Sequence, residues 1–273
     1  MLGERITLHS PDGANIALDA YIPEVTEEID PNVRRASVVI CPGGGYHFKS
    51  AREAEPVALR FLAEGFNAFV VWYRVAPSRF PVPQQDLALA VAHVRQHAEE
   101  YHCNPHQIAV LGFSAGGHLA GSLGALWHKA ELWAPLTPND VRPNAMVLCY
   151  PVITGGEYAH RGSFENLTGD MDASHHAAWS VDGWVTEHCP PTFLWHTFED
   201  ASVPVENAYL MAQALARHGV LTELHVFPHG GHGASLCNEQ TSGVRNPQLV
   251  LKDNAAWPGW AARFLRQAMG ANG

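Results

Sequence analysis

One stretch constrains this chain more than any other. The apolar run Ile108-Ala109-Val110-Leu111 leads into Gly112-Phe113-Ser114-Ala115-Gly116, then Gly117 and small or apolar residues from His118 to Trp127. This reads as strand, sharp turn and helix, with a serine at the apex. Such a turn is so tight that side chains two positions either side of the serine would collide with strand or helix, which is why glycines stand there. The strained backbone lifts the serine hydroxyl clear of the sheet, and the helix that follows aims its first amide groups toward it. The pentapeptide by itself is equally a Gly-rich turn, so its meaning depends on what the rest of the chain supplies.

Around this elbow, strand and helix patterns alternate. Arg5 to His9 and Ile16 to Ile22 read as a hairpin, and Ala36 to Cys41 as a buried β-branched strand running into Pro42-Gly43-Gly44-Gly45-Tyr46. A helix is expected from Ala51 to Glu64, closed by Gly65, then a strand from Asn67 to Tyr73 and an amphipathic helix from Gln84 to Tyr101. Past the elbow, Ala145 to Tyr150 and Thr192 to His196 are strands; a helix runs from Val205 to His218, a last strand from Leu221 to Phe227 and a final helix from Asn254 to Met269. The pattern predicts an α/β fold within residues 1–273: one domain with a mostly parallel central sheet, helices on both faces, and a short lid-like insertion at about 151–185 where the rhythm breaks.

Composition narrows the partners. The chain carries 17 basic against 27 acidic residues, a formal net charge of −10, with no basic cluster. That excludes nucleic acid and anionic membrane surfaces as expected partners. No apolar run approaches the ~18 residues of a membrane span. Glu4 and Arg5 stand where a signal peptide would be apolar, so the expectation is a cytoplasmic protein. The five cysteines, Cys41, Cys103, Cys149, Cys189 and Cys237, lack metal-ligand spacing and read as reduced core residues. His93 and His97 are i, i+4 partners without a ligand glutamate and read as part of a solvated face. No metal or cofactor is called for.

Every residue able to support serine chemistry falls just after a strand, and in a parallel sheet those ends share one edge. The three glycines after the strand ending at Cys41 can present backbone N–H groups to a cavity; the amides of Gly44, Gly45 and Ala115 are the candidate oxyanion donors. Ser114 needs a neutral imidazole to take its proton, and that imidazole needs a carboxylate. His232, flanked by glycines after the last strand, is the candidate base, with His229 its rival. Asp200 is the candidate acid, with Glu199 its rival.

The chain order Ser114, Asp200, His232 is that of the α/β hydrolases. CPGGGYHF, REAEPVALRFLAEGFNAFVVWYRVAP, GFSAGGHLAG, YPVITGG, HRGSFENLTGD, PPTFLWHTFED and HVFPHGGHG together resemble the acetylesterase/lipase-type α/β hydrolases, acetyl xylan esterase-like and related to the hormone-sensitive-lipase group. Asp200-Ala201-Ser202-Val203-Pro204 resembles the turn that follows the acid in that fold. The group's H-G-G-G appears as P-G-G-G, with Pro42 in the histidine place, a change that spares the amide donors. The resemblance implies a metal-independent serine esterase releasing acetyl or other short acyl groups, here from a small ester or an acetylated oligosaccharide. Tyr46, Trp179 and Trp184 are the candidate substrate contacts; flat indole faces suit sugar rings, and they equally suit packing of the insertion. A general carboxylesterase, a serine peptidase and a non-catalytic binding protein are the alternatives. The polar, His-rich insertion argues against a long-chain lipase.

Overall fold

The computed structural model describes residues 2–270. Among the described residues eight strands form one sheet: β1 (Leu2–His9), β2 (Asn15–Ile22), β3 (Arg35–Cys41), β4 (Asn67–Trp72), β5 (Cys103–Phe113), β6 (Ala145–Cys149), β7 (Thr192–Thr197) and β8 (Thr222–Phe227). Their order across the sheet is β1-β2-β4-β3-β5-β6-β7-β8. The pairs β1–β2 and β2–β4 are antiparallel and all others parallel. The helices are α1 (Glu55–Ala63), α2 (Val82–Gln96), α3 (Ala115–Leu126), α4 (Pro138–Val141), α5 (Arg161–Thr168), α6 (Glu206–Arg217), α7 (Glu239–Ser242) and α8 (Trp257–Met269).

Alternation along the central strands sends residues to both faces, and both faces are covered. Val39 and Cys41 of β3 with Ile108 and Val110 of β5 pack in one core with Leu87 of α2, Leu119 of α3 and Met211 of α6. Val38 and Ile40 with Ala109 and Leu111 pack in the other with Phe61 of α1 and Trp257 of α8. Burial on both faces is why β3 and β5 read as continuous apolar runs.

Two expected helices differ in extent. The stretch from Ala51 to Glu64 is a 3-10 turn at Ala51–Glu53, then α1, broken at Ala54 (φ −106°, ψ −109°). Pro56 lies in the first turn of α1, and the crowding a proline imposes on the preceding backbone keeps one helix from running through. The break turns Glu53 into the core. Helix α2 ends at Gln96 rather than Tyr101, where the His97 ring lies 2.9 Å from the His93 carbonyl. His93 is half-buried rather than solvated, 2.8 Å from the Tyr101 hydroxyl and stacked on His97 with centroids 4.0 Å apart.

The segment between β6 and β7, which contains the expected insertion, is pinned down. Asn207 of α6 accepts the amides of Ile153 and Thr154 at 2.8 and 3.0 Å and donates to the Tyr158 carbonyl at 2.9 Å. Asn166 of α5 donates to the Gly45 carbonyl at 2.9 Å. It is a packed wall beside the glycine loop.

Candidate active site

The elbow between β5 and α3 holds Ser114 at φ 52°, ψ −120°. The glycines around it are dictated by contact. A Cβ at Gly112 would lie 2.0 Å from the Gly116 carbonyl oxygen, and one at Gly116 would lie 2.1 Å from that of Cys41. The strand–helix crossing therefore closes only with hydrogen at both positions. The Ser114 amide donates to the Cys149 carbonyl at 3.0 Å, and its own carbonyl accepts from Val152 at 3.0 Å, fixing the apex between β5 and β6.

Ser114, His232 and Asp200 form one hydrogen-bonded chain. His232 Nδ1 lies 2.7 Å from Asp200 Oδ2, and His232 Nε2 lies 2.8 Å from Ser114 Oγ. A carboxylate only accepts, so Nδ1 carries the proton and Nε2 presents its lone pair to the serine hydroxyl. Asp200 is buried, and burial opposes its charge. Hydrogen bonds from His196 and His232, with the Val203 amide, nonetheless hold it well below the ordinary carboxylate range. Its other oxygen accepts the amides of Ser202 and Val203 at 3.0 and 2.9 Å, the turn seen in the sequence as D-x-x-V-P. The rivals pair with each other instead: Glu199 Oε1 lies 2.9 Å from His229 Nδ1, and both side chains are exposed.

The glycine loop stands opposite. Gly43 donates to the buried carboxyl of Glu53 at 2.8 Å, so its amide is occupied. The amides of Gly44, Gly45 and Ala115 have no protein acceptor among the described residues. Gly44 has φ 133°, and a Cβ there would meet the Phe48 carbonyl oxygen at 2.2 Å.

A cleft of about 400 Å³ opens over Ser114 and His232, lined also by Gly44, Gly45, Phe48, Arg52 and His160. Tyr46, Trp179 and Trp184 do not line it. Tyr46 is buried, and Trp179 packs on Phe80 with centroids 4.7 Å apart, with Trp184 alongside. The expected substrate contacts are thus packing residues, because the indoles fill the gap between the insertion and the loop before α2.

Several residues at the site escaped the sequence reading. Phe48, 58% exposed, is the aromatic ring the cleft does present. His160, from the insertion, lies 2.8 Å from Ser163 Oγ; burial, and after it the nearby His232, lower its pKa. Glu53 accepts from Gly43 with one oxygen and from the Tyr150 hydroxyl at 2.6 Å with the other, while Tyr150 accepts the Ser235 amide at 2.9 Å. This links the glycine loop to the loop carrying His232. His196 bonds the Val203 carbonyl at 2.9 Å and lies 3.4 Å from Asp200. The charges of this stretch, Arg52, Glu53, Glu55, Arg60 and Glu64, gave no sequence signal that singled out Glu53.

The sheet order, the elbow and the hydrogen-bonded chain define an α/β hydrolase. The chain belongs to the BD-FAE family, whose model matches residues 18–215. It is 34% identical over 227 residues to endo-1,4-β-xylanase B of Butyrivibrio fibrisolvens, covering 81% of this chain and 36% of that protein. It is 30% identical over 237 residues to the acetylxylan esterase of Xylanibacter ruminicola, covering 84% of this chain and 46% of that one. The chain thus spans less than half the length of either relative. The crystal structure of an acetyl ester-xyloside bifunctional hydrolase from Caldicellulosiruptor lactoaceticus superposes with a TM-score of 0.79 at 35% identity, over 99% of this chain and 98% of that one. The class of this domain is that of the carboxylic ester hydrolases.

Proposed function

We propose that the protein is a serine esterase that removes acetyl and other short acyl groups, acting on acetylated xylo-oligosaccharides through an acyl-enzyme. The observation that carries this reading is the Ser114–His232–Asp200 hydrogen-bonded chain facing a cleft beside three unengaged amides. In this mechanism His232 Nε2 takes the proton of Ser114 as Oγ attacks the ester carbonyl. The amides of Gly44, Gly45 and Ala115 hold the oxyanion, where a single donor is worth ~3–4 kcal/mol. His232 then gives its proton to the departing alcohol, and a water activated by the same imidazole releases the acid. Asp200 keeps the imidazole in the productive tautomer throughout.

The acetyl preference is supported by the acetylxylan esterase and acetyl ester-xyloside hydrolase among the relatives. The cleft border also carries His47, Ser50, Arg52 and Ser202, polar side chains of a kind that can take sugar hydroxyls. Five buried, unpaired cysteines are in keeping with a reducing compartment such as the cytoplasm. The test is a panel of nitrophenyl esters from acetate to decanoate with acetylated xylo-oligosaccharides. Acetate is expected to exceed octanoate by about tenfold or more in kcat/KM, ~1.4 kcal/mol in transition-state binding, and the sugars to lose acetate. A better octanoate with untouched sugars would instead mark a general carboxylesterase.

A further inference from the structure

Arg52 is the one residue of the cleft wall whose side chain is both charged and unanswered. It follows the glycine loop and lines the cleft over Ser114 and His232. Its backbone is fixed, since the Arg52 carbonyl accepts from Ser235 Oγ at 2.6 Å. Its guanidinium lies against the loop carrying His232: a Cβ built on Gly233 would stand 3.2 Å from Nη2. Yet Nη1 is shut off from solvent without a hydrogen-bond partner, and among the described residues no carboxylate comes within ion-pair reach of the side chain. The carboxylates of the site itself are spoken for. Glu53 spends its two oxygens on Gly43 and Tyr150, and Asp200 spends its own on His232 and the amides of Ser202 and Val203.

A guanidinium N–H shut off from solvent without an acceptor is an unfavourable arrangement, the more so because the group is charged. Arg74, by contrast, is drawn inward with a carboxylate partner, Asp86 at 2.7 Å. The planar fork of arginine fits a carboxylate with two parallel hydrogen bonds, which a neutral ester cannot offer. The net charge of −10 disfavours anions at long range, but that field is screened beyond ~8 Å in physiological salt. At the cleft the local cation decides.

From this we infer that the cleft is built for esters that carry a carboxylate, bound by Arg52 beside the reacting ester. The inference rests on the esterase reading of the same cleft. The carboxylate could stand on the acyl side, as in a dicarboxylic half-ester, or on the alcohol side, as in an acetylated uronic acid sugar; the chemistry at Arg52 is the same.

The experiment compares matched pairs on the wild-type protein by acid release. Monoethyl succinate against ethyl butyrate probes the acyl side. Methyl O-acetyl-glucuronoside against methyl O-acetyl-xyloside, which differ by the sugar carboxylate, probes the alcohol side. In one pair the anionic member is expected to lead in kcat/KM by about tenfold, ~1.4 kcal/mol. Arg52→Gln should bring that ratio to near one. Should that variant not fold, Arg52→Lys, which lacks the fork, should cut the ratio about threefold or more. With wild type alone, succinate or methyl glucuronoside should inhibit nitrophenyl acetate hydrolysis more strongly than methyl xyloside. No preference in either pair, or a preference that survives Arg52→Gln, overturns the proposal while nitrophenyl acetate is still hydrolysed. Failure to hydrolyse nitrophenyl acetate overturns the esterase reading instead.

Discussion

The Tyr46 hydroxyl lies 2.9 Å from His118 Nδ1 inside the core, joining the glycine loop to α3 one turn beyond Ser114. The other ring nitrogen, Nε2, lies 2.9 Å from the Trp179 carbonyl and must donate to it, so Nδ1 accepts from Tyr46. One neutral imidazole thus holds together the glycine loop, the nucleophile helix and the insertion. Burial pushes its pKa down to about 4, from an ordinary 6.5.

That depression has a stability consequence. Between pH 6.5 and about 4 the unfolded chain binds a proton at His118 that the folded chain refuses. Stability from this residue is therefore complete above 6.5, falls on acidification through the window and levels off below about 4. The loss amounts to about 3 kcal/mol at ~1.4 kcal/mol per pKa unit. Urea denaturation across this pH range should show a shallower acid slope for His118→Asn than for wild type. Parallel slopes would mean that His118 does not govern acid sensitivity.

Ser114→Ala should abolish ester hydrolysis while leaving unfolding stability within about 0.5 kcal/mol, since only a hydroxyl that lines the cleft is lost. An organophosphate should label wild type at Ser114 and leave the variant unmodified, as read by mass spectrometry. Appreciable turnover by the alanine variant would transfer the nucleophile's role elsewhere.

Asp200→Asn should lower turnover by on the order of 10⁴, because an amide favours the wrong histidine tautomer. Glu199→Gln should matter far less, since Glu199 faces the exposed His229. The reverse ranking in steady-state kinetics would make Glu199 the acid.

Glu53→Gln leaves a buried amide that must satisfy two donors, the Gly43 N–H and the Tyr150 hydroxyl. One acceptor is lost, so the variant should unfold about 2 kcal/mol more easily. Because the same carboxyl sets the glycine loop, kcat should fall more than KM rises. Unchanged kcat in a destabilised variant would reduce Glu53 to a purely structural residue.

Much of this architecture was legible because it is written in short-range rules. A Cβ clash at Gly112 and Gly116 is a property of the local turn, so G-x-S-x-G locates the elbow from the chain alone. The runs Val38-Val39-Ile40 and Ala109-Val110-Leu111 betray strands covered on both faces. The order Ser114, Asp200, His232 follows from which loops leave the ends of parallel strands.

What the sequence by itself determined, then, was the α/β rhythm, the elbow and the residues that gather at one sheet edge. Only the tertiary structure decided how residues far apart in the chain pair there. It joined Asp200 to His232 and Glu199 to His229, a choice between adjacent carboxylates that turns on backbone direction after β7. It buried Glu53 under the glycine loop by breaking a helix at Ala54, and it packed Trp179 and Trp184 on Phe80 while exposing Phe48 and Arg52 to the cleft. The physical reason is one of range. Turn sterics and strand periodicity act over a few residues, whereas the partner of a buried carboxyl or an indole is set by segments brought together only when the whole sheet closes.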